Sequence, residues 1–593
     1  MKIVLSAIAV CFALACFLFV GVAPKTSAGA AVSEQSCSAL SMLTSKDLPN
    51  PTAAVTSAKY NAASPAQANS GRGGNGATPA LPEHCEVIGK MDERTGANGQ
   101  KYAIRFHLRL PTEWNGKLFY QAGGGGEGNL GSAIGTLPGQ PGEVALPLGY
   151  AVVSQDSGHD NMSNNDPQMN GVMTFGFDPQ ARTDYGYRSY DQVTQAAKAI
   201  AKAYYGRMPE KSYFVGCSSG GREALMMAQR YPGDYDGILS CSGAFEMPRA
   251  LVAGIWDAQA LAAAAKDAGT LDPNGQPFIN RAFSDDDADL IAQAVLSACD
   301  ELDGLKDGMV QNFKACTTAL VHPKLVAATC HGAKDASCVS AAQVTAIEKI
   351  MAGPKNSKGE ALYSDWPWDA GIGGKTADGK INKEWRDVKL GRYADTKNSG
   401  LYAGLGTGLV SALFMTPPVA LPVDGSKYLD FALKFNFDTD APKIYAKGGE
   451  FKEAAMDYMM PNSSDLSAFK KHGSKLLIIT GVSDPDFSFN NIARWWEQVN
   501  KHDRGKGTEF VRLFAVPGMN HVTGGPSTDR YHAFGTLVSW VEKGEAPERI
   551  EATAPNDTPW PNRTRPLCVY PLQARYSGTG SIESAENFVC RMP

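Results

Sequence analysis

No run of basic residues interleaved with aromatics occurs in the 593-residue chain, and neither charge sign dominates: 56 Lys and Arg stand against 61 Asp and Glu, a net charge of −5. This excludes nucleic acid as an expected partner, because polyanion binding needs clustered cations. Regular alternation of strand and helix is missing between about residues 247 and 472, where Trp and Pro clusters such as SDWPWDAG interrupt it. The length exceeds one ordinary core, so the chain reads as two or three domains, or as one domain with a large insertion.

The one long apolar run lies at the start. Lys2 supplies a positive end, residues 3–22 are almost wholly apolar, and Ala28, Gly29 and Ala30 offer small residues for cleavage, so residues 1–30 are expected to be a signal peptide and the protein secreted or periplasmic. The run is also long enough to stay as an anchor, and Leu14, Ala15 and Cys16 weakly resemble a lipoprotein site. After cleavage no stable membrane association is expected. Twelve cysteines are present, and Cys11 and Cys16 leave with the signal. Four pairs are expected in an oxidising compartment: Cys37 with Cys85, Cys299 with Cys316, Cys330 with Cys338 and Cys568 with Cys590. Each closure stabilises by roughly 2 to 4 kcal/mol in the chain-entropy picture. Cys217 and Cys241 are left over, either bonded to each other or two buried thiols.

Residues 52–80, rich in Ala, Ser, Asn and Gly, read as an irregular surface arm, with regular structure beginning near Leu81. Strands are expected at 102–110, 117–121, 149–154, 213–215, 235–240, 474–480 and 510–516, from alternating or continuous apolar runs. Helices are expected at 190–205, 222–230 and 530–543. This order predicts an α/β fold, a doubly wound and mostly parallel α/β-hydrolase sheet with a large inserted lid. The expected layout is a catalytic domain over 31–247 and 473–593, split by a lid over 248–472.

Between the strand at 213–215 and its helix the chain reads GCSSGG, with Gly216 and Gly220 two residues either side of Ser218. That is the G-x-S-x-G spacing of a nucleophile elbow, in which small neighbours permit a strained turn that presents the hydroxyl. A serine hydroxyl needs a base held in its tautomer by a carboxylate. Asp484 follows the strand at 474–480 and His521 follows the strand at 510–516, in the chain order Ser, Asp, His that this fold uses. Asp486 is the rival acid. His159, in the loop DSGHDN, is a second candidate site histidine, excluded as base by chain order. Residues 123–126 are four glycines that let backbone N–H groups approach a ligand, and the N–H of Ser219 is the other expected oxyanion donor. A cysteine nucleophile at 217 lies one residue off the elbow's apex.

A second signal lies in CDELDGLKDGM. Asp300, Asp303 and Asp307, with the carbonyls of Leu305 and Met309, make an all-oxygen donor set suited to a structural Ca²⁺. The spacing is not that of an EF-hand. No organic cofactor is expected.

With these residues assembled, the chain resembles the tannase and feruloyl esterase family of α/β hydrolases from about Leu81 to Cys590. The stretches LPEHCEV, LPTEWNGKLF, FGFDPQAR, SYDQVTQA, KSYFVGCSSGGRE, VPGMNHVTGGP, VEKGEAP and RTRPLC carry the resemblance. It implies Ser218, Asp484 and His521 as triad, Gly125 and Ser219 as oxyanion donors, the calcium ligands named above, and a small aromatic ester as substrate. A non-catalytic binding protein of the same fold is the alternative from another class. Two departures stand out. The family usually bonds the cysteine before its nucleophile to one directly after its histidine, and here that second position is Val522. A member that cleaves a terephthalate monoester is thought to grip the substrate's carboxylate with a lid arginine; Leu401 stands there, Leu405 replaces a lid aromatic, Ser219 replaces a glutamate, and Phe414 completes the expected lid contacts. An apolar residue offers a carboxylate no donors, so the expected substrate is a neutral aromatic ester; hydrolysis of the terephthalate monoester is the alternative.

Overall fold

A nine-stranded sheet forms where the continuous apolar runs lie side by side. Its strands are β1 (Ala54–Asn61), β2 (His84–Thr95), β3 (Lys101–Pro111), β4 (Lys117–Gln121), β5 (Ala151–Gln155), β6 (Lys211–Cys217), β7 (Gly237–Cys241), β8 (Lys475–Gly481) and β9 (Val511–Val516). Their spatial order is β1-β2-β3-β5-β4-β6-β7-β8-β9. The first four in that order pair antiparallel, and from β5 to β9 every pairing is parallel. The computed structural model describes residues 33–67, 79–395, 398, 402–461 and 463–593; the leader expected at 1–30 and the lid position Leu401 lie outside these.

The parallel strands are buried on both faces, hence their unbroken apolar sequences. Along β4, Leu118 and Tyr120 join one core while Phe119 joins the other, the period of two expected of a strand. Helices α1 (Ser189–Tyr205), α2 (Ser219–Arg230), α3 (Met247–Asp267), α4 (Asp285–Cys299), α5 (Phe489–His502) and α6 (Ala533–Lys543) include the main crossovers. Between β7 and β8, residues 242–474 contribute no strand to this sheet. They nonetheless share the larger core: Trp385, Leu413 and Phe414 belong to it together with Phe214 and Leu225. Residues 32–593 accordingly form one compact unit. The boundaries expected near 247 and 472 mark a change of local pattern, not a break in packing.

Three local expectations are corrected. The arm expected to be irregular contains β1, because pairing with β2 overrides a composition poor in strand formers. Regular structure begins earlier than Leu81, with the helix Glu34–Ala39, which Ser33 caps. The closing helix starts at Ala533, since Arg530–Tyr531 pairs instead with Arg549–Thr553.

Candidate active site

Strand β6 ends at Cys217, and the next residue takes φ 59° and ψ −124° before α2 begins. For a non-glycine residue this is strained backbone. It is held by the Ser218 N–H donating to the Cys241 carbonyl at 3.0 Å and by the Ser218 carbonyl accepting from Ala244 N at 2.8 Å. The flanking glycines are required by contact. A Cβ on Gly216 would lie 2.5 Å from the backbone of Gly220, and one on Gly220 would lie 2.6 Å from the Gly123 carbonyl.

The loops after β8 and β9 converge on this turn. His521 Nε2 lies 2.8 Å from Ser218 Oγ, and His521 Nδ1 lies 2.9 Å from Asp484 Oδ2. Asp484 is fully buried, and its Oδ1 accepts from the N–H groups of Asp486 at 2.8 Å and Phe487 at 3.0 Å. Asp486 takes a different place: its Oδ2 is 3.6 Å from Nε2, on the serine side of the ring. Burial opposes a charge on His521, but Asp484 and Asp486 outweigh it and raise its pKa above that of an ordinary histidine. Among the described residues these three side chains are the compact cluster of possible metal ligands, within 4.8 Å of one another; both nitrogens of the ring already face protein partners.

Gly125, at φ 61°, turns its carbonyl away to accept from Ser219 Oγ at 2.6 Å and Tyr185 Oη at 3.0 Å. Among the described residues the N–H groups of Gly125 and Ser219 donate to no acceptor. A cavity of about 160 Å³ opens over Gly125, Ser218, Ser219 and His521. Its remaining walls are Met247, Leu251, Leu405, Gly406, Leu409, Phe487 and the carboxylate-bearing Asp486. Leu405 therefore reaches the cavity. Phe414 does not: the segment Leu409–Phe414 buries it completely in the core while Leu409 faces the cavity. His159 is also elsewhere, 1 % exposed and stacked on Phe175 at 3.8 Å. Burial pushes its pKa down to about 4, against the raising effect of the Ser157 and Gly126 backbone.

The insertion braces the catalytic loops, which no local motif announces. Asp369, 1 % exposed, accepts from Gly518 N at 2.6 Å, and Gly371 N donates to Ser483 Oγ at 3.1 Å. Ser242 Oγ accepts from Val522 N at 3.1 Å, tying the histidine loop to the turn after β7. Cys217 and Cys241 are cross-strand partners and free thiols, so the extra pair does not form. Their thiols hydrogen-bond, and burial pushes Cys217 upward. Cys217 and Val522 are both partly buried and pack against the same core cluster. The pairs Cys37–Cys85, Cys299–Cys316, Cys330–Cys338 and Cys568–Cys590 are bonded.

The acidic loop follows α4. Asp300, 5 % exposed, accepts from Asp307 N and Gly308 N, each at 3.1 Å. Asp303 accepts from Leu305 N at 2.9 Å, and Asp307 from Met309 N at 3.1 Å and Arg565 Nη2 at 2.5 Å. Of the three, only Asp307 has a guanidinium within bonding distance; N–H groups are the partners of Asp300 and Asp303, and burial pushes both carboxyls above the ordinary range. Among the described residues the three carboxylates do not all bring an oxygen within 4.8 Å of one another, as the cluster around His521 does.

A family model described as tannase and feruloyl esterase matches residues 85–591. The chain belongs to the tannase and feruloyl esterase family. Within it, the chain is 44% identical over 554 residues to the mono(2-hydroxyethyl) terephthalate hydrolase of Piscinibacter sakaiensis, covering 92% of this chain and 89% of the relative. It is 31% identical over 510 residues to a probable feruloyl esterase of Arthroderma benhamiae, covering 83% and 82%. The fold is shared with feruloyl esterase B from Aspergillus oryzae, at TM-score 0.66, 21% identity and coverage of 94% and 100%. It is shared too with tannin acyl hydrolase from Aspergillus niger, at TM-score 0.62, 18% identity and coverage of 95% of each chain. As a member of this family the chain is a carboxylic ester hydrolase.

Proposed function

We propose that the protein is an exported serine esterase that hydrolyses neutral esters of aromatic acids through an acyl-enzyme on Ser218. The observation that carries this is the unbroken relay from Ser218 Oγ to His521 Nε2 at 2.8 Å and from Nδ1 to Asp484 at 2.9 Å. As Ser218 attacks the ester carbonyl, its proton passes to His521, while Asp484 fixes the ring and steadies the imidazolium. The N–H groups of Gly125 and Ser219 receive the oxyanion. His521 then protonates the leaving alcohol, and in the second half takes a proton from water that attacks the acyl-serine and frees the acid.

Substrate choice is set by the walls. Among the described residues that line the cavity there is no Lys or Arg, while Asp486 lies on the wall and apolar side chains make up most of the rest. A substrate with its own carboxylate gains no bidentate partner there and meets a like charge. The identity to a terephthalate monoester hydrolase favours a second reading, and one panel separates the two. Methyl ferulate and methyl gallate are expected to show higher kcat/KM than mono(2-hydroxyethyl) terephthalate; the reverse order would overturn the neutral-substrate reading. A fluorophosphonate is expected to label the wild-type protein and not Ser218→Ala; labelling that survives the substitution would place the nucleophile elsewhere.

Export accords with four disulfides, which persist in oxidising compartments, and no helix of the described residues is long and apolar enough to cross a membrane. Calcium would be held by Asp300, Asp303, Asp307 and the carbonyls of Leu305 and Met309. Its contribution there would be charge compensation that fixes the loop.

A further inference from the structure

Behind the two amide donors lies a buried acid pair that the reaction does not use. Glu127 comes two residues after Gly125 and closes the glycine loop; Glu223 lies one helical turn beyond Ser219 on α2. Glu127 is 4 % exposed and Glu223 fully buried. Glu127 Oε2 accepts from Gln155 Nε2 at 3.3 Å. Its Oε1 and both oxygens of Glu223 meet no conventional donor; Glu223 is faced by the Glu127 carboxyl and the Tyr190 hydroxyl. That hydroxyl already donates to the Tyr185 carbonyl, so it has no proton to offer.

The charge count is equally specific. Arg222 is the cation beside the pair, its Nη2 3.9 Å from Glu223 Oε1. The phenols of Tyr120, Tyr185 and Tyr190 that complete the surroundings are pushed upward by burial and stay neutral. Two ionised carboxylates against one guanidinium would leave a buried net charge; a single proton on the pair removes it and supplies the missing donor. Glu127 also sits at φ 52°, a strained position that needs a fastening.

We propose that Glu127 and Glu223 share one proton, and that this O–H···O bond fastens the loop carrying Gly125 to the helix carrying Ser219, setting the spacing of the two amide donors. Neither residue lines the cavity, so both are positioning residues, and the proposal rests on the serine-esterase reading only for its kinetic consequence. Burial, then the neighbouring Glu127, raise Glu223 well above an ordinary glutamate. The proton is therefore held to higher pH than an ordinary glutamate holds one, and once it is lost the two carboxylates repel and the loop parts from the helix. Activity is present below the pair's pKa and falls as pH rises through it.

The test combines infrared spectra with kinetics. Difference spectra of wild type against Glu127→Gln and against Glu223→Gln at neutral pH should each show a protonated-carboxyl C=O stretching component that the variant lacks, because an acid–amide pair needs no shared proton; other buried carboxyls cancel in the difference. These single Gln variants should also lose the alkaline fall in kcat. Glu223→Ala, which removes the bond, should lower kcat by about 10²-fold with little change in KM, the cost of misplacing an oxyanion donor. Difference spectra without that component, or an alkaline fall that both Gln variants retain, would overturn the proposal. The band is read on protein without substrate, so its outcome is independent of whether Ser218 is the nucleophile.

Discussion

A carboxylate 3.6 Å from the ring nitrogen that meets the serine gives His521 a second anionic neighbour, and the consequence is a shift in working pH. The base acts only when deprotonated, so a raised pKa moves the acid limb of kcat/KM above the range of an ordinary histidine, about 6.5. Asp486→Asn removes one of the raising charges while Asp484 keeps the ring oriented. The limb of this variant is expected at lower pH than in wild type, read from kcat/KM against pH with a neutral p-nitrophenyl ester; an unmoved limb would show that Asp486 does not act on the base. At this scale the sequence was readable wherever a residue's setting is local. Ser218, Asp484 and His521 each follow their own apolar strand, and each motif can be recognised without the others. Glu127 and Glu223 could not be paired by eye, because their meeting depends on the approach of a loop and a helix far apart in the chain. Phe414 misled for the same reason: which face of its turn meets the core is decided by tertiary packing.

Among elements, the parallel strands were legible and the insertion was not. Strands β5 to β9 carry continuous apolar runs that only a doubly covered sheet can bury. Strand β1 was hidden because an edge strand has one partner and little apolar demand, so Ala, Ser and Lys serve. In the insertion, short helices and turns follow the surface they cover and not a period of their own. Its turn at Asp369 is where that cover becomes mechanical, since one carboxylate holds the N–H of Gly518, three residues before His521. Asp369→Ala leaves that buried N–H without its acceptor, a loss of about 1–3 kcal/mol. Urea unfolding should register this, and kcat should fall more than KM rises because the histidine loop loosens. Unchanged kcat in a destabilised variant would limit the brace to a structural role.

For the whole molecule, the insertion and sheet share one core, so a cation bound in the insertion would bear on the stability of both. A chelator is expected to lower the melting temperature of purified protein by several degrees and added Ca²⁺ to restore it, because a ligand bound only by the folded state stabilises that state. Absence of bound calcium in a metal assay, with an unmoved melting temperature, would show that no ion serves this loop. The sequence indicated the donors' chemistry through CDELDGLKDGM, but not the Arg565 contact that competes for Asp307, which comes from a strand near the other end of the chain. The cavity wall has a last effect, on product release. On the neutral-ester reading each turnover would turn an uncharged guest into an anion beside Asp486, and among the described lining residues no Lys or Arg faces it. Once His521 is deprotonated, nothing else on the described wall would detain the acid, and added ferulate or gallate should inhibit initial rates only feebly above the acid limb, even at concentrations well above the ester's KM.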